Sequence, residues 1–230
     1  MLRTVLLLLT LAGSLSARAQ SVPEDQLGAW YMYFYTAQFG DGPFGVQGDA
    51  QFRFWDLGGD LEQLLLRNGL TYLLPESKVK FTLGYAYVAS GVPGDSNDRS
   101  QENRIYQEAL LPQKIGTRVY LTHRFRYEQR FVEGQDFRTR YRYNIFVNVA
   151  LNQPELARRT LYLALYNEVF INGQTNIGGG RSVERYDRNR TYLGLGYGLT
   201  DRLRVQLGWM NQTTAVWNKN QLQLSAHHSW

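Results

Sequence analysis

The residues in this chain with the most chemical potential are arginines. Two neighbouring stretches place them at alternate positions: Arg124, Arg126 and Arg130 (with Glu128 among them, and Arg118 further upstream), then Arg138, Arg140 and Arg142. A guanidinium is planar, stays charged, and grips a carboxylate or phosphate at two points. So many like charges on one face repel unless carboxylates or bound anions lie between them. Glu102, Glu108, Glu128 and Glu168 are the available carboxylate partners, and Arg53, Arg67, Arg188, Arg190, Arg202 and Arg204 extend the set. Two chemistries follow. Complete pairing gives a salt-bridged filler; incomplete pairing gives a track that attracts small anions, as arginine-lined pores do.

Other chemistry is poorly supplied. The chain has no cysteine, which removes disulfides, thiolate metal sites and a thiol nucleophile. Its three histidines are His123, His227 and His228, and the only close His/Ser cluster is His227-His228-Ser229. Adjacent strand residues point to opposite faces, so His228 and Ser229 are badly placed to form a nucleophile–base pair. A lipid-modifying enzyme is therefore the weaker alternative, and no catalytic residue is expected. The loop acids Asp95, Asp98, Glu133, Asp136, Glu184 and Asp187 match no calcium-loop spacing, so neither a metal nor a cofactor is expected. Gly178-Gly179-Gly180 follows no strand-to-helix pattern and reads as a loop tip. The basic residues alternate with aromatics within runs, where a nucleic-acid binder would cluster them on one face, so no nucleic-acid partner is expected.

The elements that must hold these arginines are strands. In Val79–Tyr87, Phe137–Val147 and Leu203–Trp209, apolar and polar residues alternate with period two. Sixteen Tyr, 11 Phe, 22 Gly and only 6 Pro also favour strands and tight turns. The pattern predicts strands over 27–37, 44–55, 62–74, 79–89, 102–111, 117–131, 137–150, 159–171, 188–199, 202–213 and 219–230. Short connections alternate with mostly longer ones (90–101, 132–136, 172–187, 214–218), the habit of an outer-membrane barrel. Single-chain bacterial barrels have an even strand count. The expectation is therefore an all-β antiparallel transmembrane β-barrel of about 12 strands, with 10 as the alternative.

Residues 1–19 have the three-part form of a signal peptide: basic Arg3, an apolar run from Val5 to Ala12, and the small residues Ala17 and Ala19 before the cleavage point. Two units of the formal net charge of +5 belong to Arg3 and Arg18 of this leader. Residues 20–230 form the barrel. A mean hydropathy of −0.40 excludes a bundle of membrane helices but not a membrane barrel, in which only alternate residues face lipid. The chain stops on Trp230, and counting back in twos reaches Leu224 and Leu222. An aromatic last residue on an alternating strand is similar to the C-terminal signal read by the outer-membrane assembly machinery. Trp30, Tyr31, Trp55, Trp209, Trp217 and Trp230 are candidates for interfacial girdles. The competing reading is a secreted soluble sandwich or lipocalin-like barrel.

Several segments carry a family resemblance: Gln26–Tyr31, Gln51–Trp55, Leu83–Tyr87, Arg104–Glu108, His123–Phe131 and Arg138–Tyr143. Together they resemble the bacterial outer-membrane family called domain of unknown function 2490. The resemblance implies a barrel in the outer membrane and no activity; outer-membrane lipid and the assembly machinery are the partners expected from the strand faces and the C-terminal pattern. The expected function is passive: a monomeric, narrow anion-selective channel. The alternative is a structural or adhesive barrel with a closed, salt-bridged lumen.

Overall fold

The computed structural model describes residues 22–94 and 96–230. The expected signal peptide, with Ala17 and Ala19, and loop residue Asp95 lie outside the described residues.

Eleven strands follow one another: β1 Gly28–Gln38, β2 Phe44–Phe54, β3 Leu61–Leu73, β4 Lys80–Gly91, β5 Arg99–Ile115, β6 Val119–Val132, β7 Arg138–Ala150, β8 Leu161–Asn172, β9 Tyr186–Gly198, β10 Leu203–Thr213 and β11 Asn218–Ser229. Each pairs antiparallel with its successor, and β1 meets β11 to close the barrel. Among the described residues there is no helix.

The expected even count of 12 is corrected to 11. The even-number rule holds when every neighbour is antiparallel, because only then must strands alternate around the whole ring. Here β1 and β11 run parallel, in register from Gly28–Gln221 to Thr36–Ser229. That single parallel seam lets an odd number close, and no sheet edge is left unpaired. Two stretches of ambiguous sequence explain why no twelfth strand forms. Trp30–Tyr35, aromatic at nearly every position, is one strand. Asp56–Asp60 is a turn: the backbone N–H groups of Asp60, Gly58 and Gly59 donate to Asp56 Oδ1 at 3.0, 2.9 and 2.8 Å. These donors, Asp60 foremost, hold the Asp56 carboxyl below the ordinary aspartate range.

The parallel seam also sets polarity. The start of β1 lies at the end carrying connections 55–60, 92–98, 133–137, 173–185 and 214–217, the long-loop end, and the end of β11 lies at the other, short-turn end, where 151–160 is the one extended connection. Residues 22–27 fold over the long-loop mouth. Buried Lys219 Nζ donates to the carbonyls of Pro23 and Gln26 at 2.7 and 2.6 Å, and the Asn218 N–H donates to Glu24 at 3.0 Å.

Period two then sorts every strand into two faces. The outward face is apolar: Leu70 is 64 % exposed, with Leu83, Ile105, Phe125, Tyr141, Leu193, Leu207 and Leu224 also exposed. The inward face holds the polar set and some aromatics. Two girdle candidates are corrected: Trp30 and Trp55 are buried, whereas Tyr31, Trp209 and Trp230 are exposed on the outside. Trp230 also ties the seam, donating its N–H to Thr36 and accepting from the Gln38 N–H.

Candidate functional site

The site is the lumen. Inward-facing charge is heavily cationic: nine arginines and Lys219 are buried, against six buried carboxylates. Removing charge from water is costly unless it is paired and hydrogen-bonded, so the pairing decides what the lumen can do.

Most of the expected arginines are paired, in one relay that runs around the wall. Arg188 and Arg140 both reach Asp187, at 3.2 and 2.8 Å. Arg140 continues to Glu128 at 2.6 Å, which also takes Arg142 at 2.6 Å. Arg142 continues to Glu168, shared with Arg124, each at 2.6 Å. Glu108 takes Arg126 Nε at 2.7 Å and lies 3.8 Å from Arg124. A second group joins Glu102 to Arg104 at 2.7 Å and to Arg130, and a third joins Arg67 to Asp49 at 2.7 Å. Aromatic rings fill the space between: Arg140, Arg142, Arg188 and Arg190 all lie over Phe170, at 5.2, 4.4, 6.0 and 4.7 Å from its centroid.

Three buried arginines have no carboxylate within 4 Å among the described residues: Arg53, Arg138 and Arg190. Arg53 and Arg190 share Trp30, at 3.9 and 4.7 Å from its ring centroid. Arg53 donates to Gln51 and Gln63, while Arg190 donates through Nε to Gln212 at 2.6 Å. Two expected lumen residues are corrected. Arg118 is exposed in the β5–β6 turn, bonded to the carbonyls of Ala150 and Leu151, and Arg202 is exposed in the β9–β10 turn. Both sit where a strand ends, so period two no longer fixes their direction.

The relay and the rings divide the lumen. On the long-loop side Glu102, Arg104, Glu128, Arg130, Arg138, Arg140 and Asp187 face inward, most of them buried and ion-paired, and none of them lines the chamber: a filled layer. Below it a chamber of about 390 Å³ is lined by Trp30, Arg53, Arg142 and Arg190 at its inner end, and by Lys80, Arg204, His227 and Ser229 towards the short-turn end. Among the described residues, the connections at the long-loop end together with the segment before β1 carry eight carboxylates (Glu24, Asp25, Asp56, Asp60, Asp98, Glu133, Asp136, Glu184) against Arg181 and Arg185. Those at the short-turn end nearly balance. One mouth is therefore net acidic, and the charged groups lining the chamber behind the other are mostly cationic.

The histidines fall differently from the His227-His228-Ser229 grouping. His227 faces inward and meets Ser225, two residues back on the same face, with Oγ and Nε2 3.0 Å apart. Its ring stacks on Phe34 at 4.8 Å. Among the described residues no carboxylate bonds its Nδ1. His228 faces outward and its Nδ1 meets the Tyr33 hydroxyl at 2.9 Å. His123 also faces outward, against the Tyr143 hydroxyl at 2.9 Å. Among the described residues no group of three or more His, Cys, Asp or Glu is placed to hold a metal.

Sequence reasoning missed Asp49, Asp187, Gln212, Gln223 and the inward turn of Trp30. Asp49 had a signal, since Gln47, Asp49, Gln51 and Arg53 alternate as cleanly as the arginine strands. Asp187 had none, because it is only the second residue of β9 and the sequence reads it as the last residue of the preceding loop.

The family model described as a protein of unknown function, DUF2490, matches residues 27–223. The chain belongs to this family. The matched span takes in β1 to β10, all the lumen arginines and the first half of β11. A search of the curated proteins finds no match to the chain.

Proposed function

We propose that this chain is a non-enzymatic, monomeric barrel of the bacterial outer membrane, exported by the 1–19 leader, with a lumen that is shut at rest and selective for anions when open. The observation that carries the reading is the pairing of two faces in one closed ring: large apolar side chains exposed all round the outside, and guanidinium groups enclosed within. Hydrocarbon tolerates only a sheet with every backbone group satisfied, which closure supplies. Leu222 and Leu224 share the outward face of β11 and the exposed Trp230 follows the strand directly, so the assembly machinery can read them together.

The filled layer on the long-loop side supports a low resting conductance, and the cationic chamber supports anion selectivity. Among the described residues no carboxylate orients the Ser225–His227 pair, which supports the non-enzymatic reading. Planar-bilayer recording tests the proposal. The wild type should show little steady current. Thinning the layer without changing its net charge, by Glu128→Gln with Arg140→Gln, should produce openings that prefer chloride to potassium. Cation preference in those openings, or a large steady current in the wild type, sinks the proposal.

A further inference from the structure

The chamber's inner end has features of a built site. Arg190 is 6 % exposed and Gln223 is 2 % exposed, and both line the chamber. Gln223 Oε1 accepts from the Tyr166 hydroxyl at 3.0 Å, but its Nε2 donor has no partner. Among the described residues Arg190 hydrogen-bonds only the Gln212 amide, and Arg53 only the Gln51 and Gln63 amides. The Arg124 Nε donor, also on the chamber wall, makes no hydrogen bond either. Buried donors are rarely left unmade, and an uncompensated buried cation costs more than a neutral donor. An oxyanion at this point supplies both the acceptor and the charge that the protein lacks.

The rest of the wall is not built for a bare ion. Met32, Phe34, Phe146 and the stacked pair Tyr166–Tyr192, with ring centroids 4.9 Å apart, give the chamber apolar, flat surfaces. The volume falls in the usual range for small-molecule sites, about 300–1,000 Å³. We infer that the chamber is a binding site for a small aromatic oxyanion, a carboxylate or phosphate monoester, whose charged head sits among Arg190, Arg53 and Gln223 while its ring lies against the tyrosines. The inference rests on the anion-selective barrel proposed above and names what that lumen holds. The ligand enters from the short-turn mouth, since the filled layer and the acidic loops bar the other.

Isothermal titration of the folded barrel in detergent micelles tests this, with benzoate, phenyl phosphate, inorganic phosphate and benzyl alcohol each titrated against a protein-free micelle blank. Benzoate and phenyl phosphate should bind, with their relative affinities distinguishing the two heads. Inorganic phosphate should bind at least tenfold more weakly, and benzyl alcohol should not bind. Arg190→Gln should weaken the aromatic anions about tenfold or more, the scale of a lost charge-assisted hydrogen bond. Arg190→Lys, which keeps charge without the planar fork, should fall between; Arg118→Gln on the outer rim should change nothing. Circular dichroism of each variant checks that it has folded, and Gln223→Leu gives a second, uncharged probe, expected to weaken binding. The inference is overturned if folded wild type takes up neither aromatic anion, if benzyl alcohol binds as well, if inorganic phosphate matches phenyl phosphate, or if Arg190→Gln and Gln223→Leu both bind like the wild type. Bilayer recording on the same preparation separates the two claims: binding without anion-selective openings removes the channel and keeps the site, and the reverse removes only the site.

Discussion

Glu128 shows how much one buried carboxylate holds. It is 1 % exposed and accepts from both Arg140 and Arg142. Glu128→Gln keeps an acceptor but leaves Arg140 with Asp187 alone and Arg142 with Glu168 alone, and breaking a buried pair from one side costs at most roughly 3–5 kcal/mol. The urea midpoint for refolding into micelles should fall accordingly. Adding Arg140→Gln should restore part of the loss, because one of the two cations that lost a carboxylate is gone. An unchanged midpoint in the single variant would show that the relay holds nothing. At this scale the sequence was informative where polar and apolar residues alternate. Arg138, Arg140 and Arg142 could be assigned one common face because Tyr141 and Tyr143 claim the other. Trp30 could not be assigned, since Tyr31 beside it is equally aromatic and period two gives two faces without saying which is inside. Nor could alternation say which arginine finds a carboxylate: Arg190 sits directly opposite Glu168 on β8 yet bonds the Gln212 amide.

At the scale of elements, neighbouring strands fit by pairing a large inward ring with a missing side chain. The Tyr106 ring of β5 lies across Gly84 of β4, and Tyr162 of β8 lies across Gly196 of β9; a Cβ on either glycine would collide with the ring. Gly84→Val should therefore destabilise the barrel by about 1–3 kcal/mol, the usual range for overpacking, read as a lower thermal midpoint in micelles. Combining it with Tyr106→Ala should cost less than the two changes added separately, because the collision is removed. Additive losses would show that the ring and the glycine do not share that space. Strand order and most boundaries were legible to within two or three residues. The exception is β5, which runs through Pro112 to Ile115, although proline reads as a strand end. Its β4 pairing stops at Leu110, so Pro112 has a neighbour on one side only and no partner there asks for its missing N–H.

At the scale of the molecule, the solvent around the ring decides its stability. Leu193 lies at the middle of β9 and is 57 % exposed on the outer face. In a bilayer, Leu193→Arg should cost about 2–4 kcal/mol, the range for a charge at the midplane of a membrane barrel. In water the same change should be neutral or helpful, so equilibrium folding into phosphatidylcholine vesicles separates the two: a variant as stable as the parent there rules out lipid on that face. Barrel class and the two faces were open to sequence reading because they depend only on alternation. The strand count was not, because parity turns on how the first and last strands meet, a contact between residues nearly two hundred positions apart.

That parallel meeting of first and last strands also limits how the chain could be rewired. In a barrel whose terminal strands are antiparallel, the two ends emerge side by side and a few residues can join them into a circle. Here a connector would have to travel the height of the wall, about a dozen extended residues, either through the packed interior or down the greasy exterior. Circular permutants with short linkers are therefore barred. Inserting or deleting a whole hairpin, by contrast, changes the girth without disturbing the odd parity.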